Sequence, residues 1–214
     1  GALSSDTQGS QSTAIGTLAL TAQNFTSATD AYNVAVGAEA GAAVTTGVQN
    51  TLIGGLAGDA ITSAANNTAV GYLSLSATTT GAENTASGKQ SLTANTTGAN
   101  NTAHGSRALG SNTTASNNTA VGTDALLANT TGTANVAVGV GASDANTDGD
   151  SNIAVGVGAL GSDTRGNFST AIGHAALNSQ NTTNDTDMYN TAVGYLAGTL
   201  VTTGIQNTLI GGLA

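Results

Sequence analysis

The chain has 214 residues, and Gly, Ala, Thr and Asn make up about 60% of them, far above ordinary usage. It carries 3 basic against 12 acidic residues, a net charge of −9, and no Cys, Pro or Trp. A basic nucleic-acid groove, a disulfide scaffold and a thiolate metal site are thereby excluded, and no apolar run is long enough for a membrane helix.

Self-similarity dominates everything else. Units open on strings like Asn-Thr-Ala-Val-Gly. The first begins at Ser12, and a step of 21 residues leads to Asn33. Steps of 17 then run through Asn50, Asn67, Asn84, Asn101, Asn118, Asn135 and Asn152 to Ser169. A second step of 21 reaches Asn190, and Asn207 follows at 17. A longer period lies above the first: Gly1-Ala2-Leu3 returns as Gly158-Ala159-Leu160, an offset of 157 that also carries Ser12 to Ser169 and Tyr32 to Tyr189. The expectation is a single array of 12 coils over residues 1–214, a fragment of a longer fibre, with four-residue inserts near 23–32 and 180–189.

Four residues after each start stands Gly, as at Gly71, Gly122 and Gly173, which predicts positive φ or an approach too close for a Cβ. A further Gly often follows, as at Gly81 and Gly132. Two turn points per unit leave room for two short strands, and this density of Gly, Thr and Asn opposes helix. The predicted fold is all-β: a parallel β-roll, or β-solenoid, with one 17-residue coil per repeat and about 4.8 Å between coils.

The first strand of each unit has Ile or Val at one position (Ile15, Val36, Ile53, Val70, Val121, Val138) and mainly Ala at the one before it (Ala14, Ala35, Ala69, Ala120, Ala137). Side chains alternate across a strand, so both faces are apolar and both call for burial. One coil covers one face. The expectation is that the Ala face packs against other copies of the chain. A second strand is read over x-Ala-Leu, as at Arg107-Ala108-Leu109, with a solvent-facing first residue and a Leu that turns a corner into the core. The opening Asn is expected to stack from coil to coil as a hydrogen-bonded ladder.

Asn67-Thr-Ala-Val-Gly71, Asn118-Thr-Ala-Val-Gly122 and Ser169-Thr-Ala-Ile-Gly173 resemble the head repeats of YadA-like trimeric autotransporter adhesins and are similar to repeats of bacteriophage tail fibres. The resemblance implies a left-handed roll, three chains around one axis, and attachment outside the cell. The familiar unit is nearer 14 residues, so these coils carry a longer outer loop of the Asn-Thr-Thr-Gly kind.

Candidate chemistry is sparse. His104 and Ser87 take the Ile/Val place in adjacent coils; around a threefold axis they would form a polar site, and otherwise a hydrogen-bonded defect or a solvated column. The inserts gather Phe25, Asp30 and Tyr32, then Asp185, Asp187, Met188 and Tyr189, rings beside carboxylates that suit a sugar or a cation on a rigid scaffold. Calcium is conceivable at Asp144, Asp148 and Asp150, and Asn95, Asn129 and Asn181 open formal glycosylation triplets. Arg107 and Asp124, 17 apart, are expected to pair across coils. No cofactor is implied, and no catalytic motif is present.

The functional expectation is therefore an extracellular structural fibre, at a cell surface or on a virion, that serves attachment. A homotrimer continuing end to end is expected, with a surface glycan or host receptor as its target. A phage tail-fibre shaft shares this logic. An ice-binding solenoid is the alternative from another class, since Thr51, Thr68, Thr85, Thr102 and Thr119 stack; they are expected to face inward or to sit at a corner. A polysaccharide-processing enzyme would need carboxylates clustered on one face, whereas the Asp residues scatter.

Overall fold

The computed structural model describes residues Gly1–Ala214, and every regular element in it is a strand. Strands of three residues, from Thr13–Ile15 through Thr68–Val70 and Thr119–Val121 to Thr208–Ile210, form one 12-stranded parallel sheet. Each strand pairs with its counterpart in the next coil: Ala69 faces Ala86, Ala86 faces Ala103, and Ser87 faces His104. The chain is a parallel β-solenoid of about 12 turns, roughly 50 Å long at the usual strand spacing.

The strands are short because each is fenced by its Asn and its Gly. Gly122 has φ 136, and a Cβ there would lie 2.5 Å from the Gly139 carbonyl oxygen in the next coil. Both reasons for glycine hold at that position. Gly132 lacks positive φ, and only crowding excludes a side chain: a Cβ would meet the Gly149 oxygen at 2.4 Å.

The sidedness of the strand is the reverse of that expected from the sequence. Ala35, Ala69, Ala86, Ala103, Ala120 and Ala137 are fully buried inside the coil. The Ile/Val column points out, with Ile53 and Val70 both 38% exposed. Volume explains the inversion. A 17-residue coil folds so tightly that its opposing walls leave space for a methyl group opposite the buried Leu75, Leu92, Leu109 and Leu126, and close packing excludes anything larger. No Ala wall stands open; the surface left uncovered is branched aliphatic.

The x-Ala-Leu segment is not a strand. Arg107 and Leu109 adopt left-handed backbone, φ 57 and 52, on either side of Ala108. Two successive side chains then turn inward, which strict strand alternation forbids, and Ala108 and Leu109 are both buried. The Leu enters the core as expected. Backbone bonds still run from coil to coil, Arg107 N–H to Lys89 O at 3.0 Å and Leu109 N–H to Ala125 O at 3.0 Å. They offset the cost of left-handed L-residues, about 1 kcal/mol or more each.

The asparagine ladder is present, and it has a twin. Asn118 N–H donates to Asn101 Oδ1 at 3.0 Å, Asn135 N–H to Asn118 Oδ1 at 2.9 Å, and the series reaches Ser169 N–H on Asn152 Oδ1 at 2.9 Å. A second column, Asn95, Asn112, Asn129 and Asn146, links amide to amide at 2.9–3.1 Å. Both columns converge on one carbonyl per coil: Gly98 O accepts from Asn84 Nδ2 at 2.9 Å and from Asn95 Nδ2 at 3.0 Å, which uses both of its lone pairs. The Asn of the Asn-Thr-Thr-Gly run is thus interior rather than part of an outer loop. The following Thr makes a ladder of its own, as Thr96 Oγ1 to Thr113 O at 3.0 Å and Thr113 Oγ1 to Thr130 O at 3.1 Å.

Where Ser replaces the opening Asn, a glutamine compensates. Gln180 Nε2 donates to Ser169 Oγ at 3.0 Å, and Gln180 Oε1 accepts from Asn190 Nδ2 at 2.8 Å. Gln23 joins Ser12 and Asn33 in the same way. These are the two coils with inserts, and there the extra residues form small parallel sheets: Gly9–Ser10 with Thr29–Asp30, and Gly166–Asn167 with Thr186–Asp187.

Candidate functional site

Two surfaces stand out, the outward side of the sheet and the insert region. On the sheet, the Ile/Val column runs through Ile15, Val36, Ile53 and Val70, then Ser87 and His104, then Val121, Val138, Val155, Ile172, Val193 and Ile210. His104 is exposed and Ser87 partly so, next to each other in register. Within one chain they form a solvated interruption of an apolar stripe. Beside the stripe runs a parallel column containing Thr51, Thr68, Thr85, Thr102 and Thr119, all partly or fully exposed. These threonines share the outward face with Ile and Val, because residues two apart in a strand point the same way; they are neither inward nor at a corner. A third column beyond the Gly adds Tyr72, Val140, Val157, His174 and Tyr195, exposed, with the His174 and Tyr195 rings stacked at 5.5 Å.

The insert residues divide into two groups. Phe25 and Met188 are buried, 6% and 0% exposed, and so are packing residues rather than contact residues. An insert must close over its own coil, and these apolar side chains do so. Asp30, Tyr32, Asp185, Asp187 and Tyr189 are exposed. Asp30 accepts from Ser10 Oγ. Asp185 and Asp187 both accept from Asn167 Nδ2, at 2.5 and 3.2 Å, and the Tyr189 hydroxyl donates to Asp187 Oδ2 at 3.3 Å. Tyr189 also stacks on Phe168, ring centroids 5.3 Å apart and planes 7° from parallel. Phe168 escaped the sequence reading, although its place just before Ser169 matches that of Tyr189 before Asn190.

The remaining polar candidates resolve into structural roles. Arg107 pairs with Asp124 at 2.6 Å as expected, and Arg165 makes a two-nitrogen contact with Asp148 across the same offset of 17. The Arg165 hydrogen bonds hold the Asp148 carboxyl below the usual range. Asp150 accepts from Thr133, and no three His, Cys, Asp or Glu side chains gather at a point. Asn95 and Asn129 are fully buried within their ladder, so their triplets present no acceptor at the surface; Asn181 is exposed. Burial, reinforced by Glu39, pushes the Asp59 carboxyl up, and its Oδ1 has no hydrogen-bond partner. The one cavity, lined by Leu196, Val201, Leu209 and Leu213 among others, is the uncovered end of the last coil.

Fold and surfaces together define an acidic, tandem-repeat parallel β-solenoid with a largely apolar outward sheet face. Comparisons with protein-family models, with curated proteins and with solved structures return no match.

Proposed function

We propose that the chain is a segment of an extracellular structural fibre that serves attachment, with three copies wound left-handedly around one axis and coils continuing end to end. The observation that supports this is the Ile/Val stripe. It runs the length of a rigid rod, with Ile15, Ile53, Val70, Val138, Ile172 and Ile210 at least 36% exposed. An exposed apolar surface of this extent, broken only at Ser87 and His104, marks an interaction site. The expected pairing with other copies is retained, with the aliphatic stripe replacing alanine as the face that meets them. A cell-surface adhesin and a phage tail-fibre shaft are two settings for the same rod. Sedimentation equilibrium tests the reading: a stable trimer is expected, and a folded monomer at micromolar concentration overturns it.

A second reading draws on the outward threonines. Thr and Val columns side by side on a flat sheet form a regular array of hydroxyl and methyl groups, the kind of surface that meets ice. Val34, Val136 and Ile153 interrupt the hydroxyl column, which favours the fibre. Thermal hysteresis of the monomer would reverse that order.

A further inference from the structure

We infer that Ser87 and His104 are the register key by which copies of this chain recognise one another: they lie in a polar band that meets the same band in each neighbouring copy. The role rests on the assembly in the fibre reading. The pattern behind it lies within one chain.

Two coils differ from all others on the outward side. In Thr85–Ser87 and Thr102–His104 every outward strand residue is polar, and Lys89 and Ser106 continue the band into the column beyond the Gly. Ser87 and His104 stand side by side in register. The flanking coils return to Val70 and Val121. Beyond Val121 the pattern inverts: Val136–Val138 and Ile153–Val155 present only branched aliphatics outward, extended by the exposed Val140 and Val157. The inserts leave this face unbroken, since Ile15 pairs with Val36 and Ile172 with Val193.

A second copy is the occupant that the face fits. The chain has a net charge of −9, yet none of its 12 acidic residues falls in the outward columns or in the column beyond the Gly. Copies therefore meet there without opposing carboxylates, a juxtaposition that suppresses contact between like-charged surfaces. Interface cores are depleted of charge in the same way.

The backbone repeats with every coil, about 4.8 Å, so the aliphatic stripe alone accepts any slip by whole coils. The band removes that freedom. With copies parallel and level, Ser87 and His104 meet their own kind, and hydroxyl and imidazole supply both donors and acceptors. The aliphatic blocks then coincide as well. A slip of one coil sets His104 against Val121 and Ser87 against Val70; a slip of two sets both polar residues against valine or isoleucine. A polar group that loses water and gains no partner opposes such contacts. Reversing one copy about the band keeps the polar match but leaves two coils of each rod unpaired. A lone polar position in an apolar repeat fixes register in coiled coils by the same logic.

The test refolds the parent chain together with Ser87→Val/His104→Val, which continues the stripe with the residue of its neighbours, and counts oligomers by native mass spectrometry. Mixed oligomers are expected at roughly one-tenth of their statistical share or less, because the band of one chain faces valine in the other. A statistical distribution overturns the inference. Val121→Ser/Val138→His, which widens the band, should be excluded from parent oligomers likewise, and it decides the matter if the first variant fails to fold. Orientation is read from cysteine, which the chain lacks. Val138→Cys should cross-link to the same position in another copy; a dominant link to Ile53→Cys in a mixed sample reverses one copy and overturns the level, parallel arrangement. Sedimentation of the parent separates the two readings. An oligomer whose copies mix freely keeps the fibre and ends this inference, whereas a folded monomer overturns both.

Discussion

The side chain of Leu52 fills the space that a side chain on Gly58 would need. A Cβ on Gly58 would sit 2.7 Å from Leu52 Cδ2. Most coils hold Ala on the strand and Leu on the turn, as with Ala120 and Leu126; in this coil the large side chain is on the strand and the turn position is Gly. Leu52 also excludes a side chain from Gly41 in the preceding coil, where a Cβ would sit 2.7 Å from Leu52 Cδ1, and Leu209 and Gly198 repeat that second pair one long period later, again at 2.7 Å.

Gly58→Ala should destabilise the chain by roughly 1–3 kcal/mol, through overpacking and a left-handed φ. Leu52→Ala should cost about 2–5 kcal/mol by opening a cavity. Chemical denaturation of the double variant is the check. Its loss should be smaller than the two single losses combined, because Leu52→Ala makes room for the new methyl group. Strict additivity would mean that the two side chains do not compete for one space.

Asn118→Ala removes the donor to Gly132 O at 2.8 Å and the acceptor of the Asn135 N–H at 2.9 Å. A buried unsatisfied group costs roughly 1–3 kcal/mol. Asn118→Asp keeps the acceptor and loses the donor, so it should recover only part of that loss at neutral pH. Full recovery would assign the ladder to its acceptor half alone.

Ala134 has φ 57 in the column where Asn66, Asn100 and Asn117 also adopt left-handed backbone. Asn tolerates that region better than Ala. Ala134→Asn should therefore raise stability, by about 0.5–1 kcal/mol. A lower melting temperature would show that the strain is relieved elsewhere.

Asp59 has a raised pKa in the folded chain, first through burial and then through Glu39. Its ionisation opposes folding. The handicap is absent below the unfolded pKa, grows as pH rises through the folded value, and persists above it. Asp59→Asn should thus match the parent near pH 3 and melt higher near pH 7. Asp148 has the opposite sign: Arg165 lowers its pKa, so its contribution is present above the unfolded value and lost as pH falls through the folded one. Equal melting temperatures at both pH values would remove the assigned cost of Asp59.

Ile172→Lys places a charge on the outward stripe, where Ile172 is 39% exposed. In a lone chain this surface change should leave stability within about 0.5 kcal/mol. In an assembly through that face it should dissociate the copies. Sedimentation and thermal melting of the variant separate these effects, and an unchanged oligomer would move the interface away from the stripe.

Much of this fold is legible in the sequence because a period of 17 with a fixed Gly leaves the backbone few choices. The Asn118 ladder and the Arg107–Asp124 pair follow from that spacing alone. The direction of the strand does not. Hydrophobicity ranks Val above Ala for burial, and the coil reverses the ranking because Leu126 fills the space across from Ala120 and leaves room for a methyl group. The left-handed turn at Leu109 was equally hidden, since nothing in a leucine announces positive φ. At the insert, Tyr189 was visible as an aromatic beside acids. Its partner Phe168 was not, because the pairing joins two coils of unequal length. Phe25 and Met188 look like loop residues until the loop is seen to close on itself.

The asparagine and threonine ladders join each turn to its immediate neighbours, at offsets of 17 residues. Order in this molecule is therefore transmitted locally, as in a growing crystal: a finished layer is the template for the one after it. A nascent chain can set into shape progressively as it emerges, without waiting for its far end. The same locality confines damage, so a fault in one layer weakens its neighbours and leaves the distant rod standing.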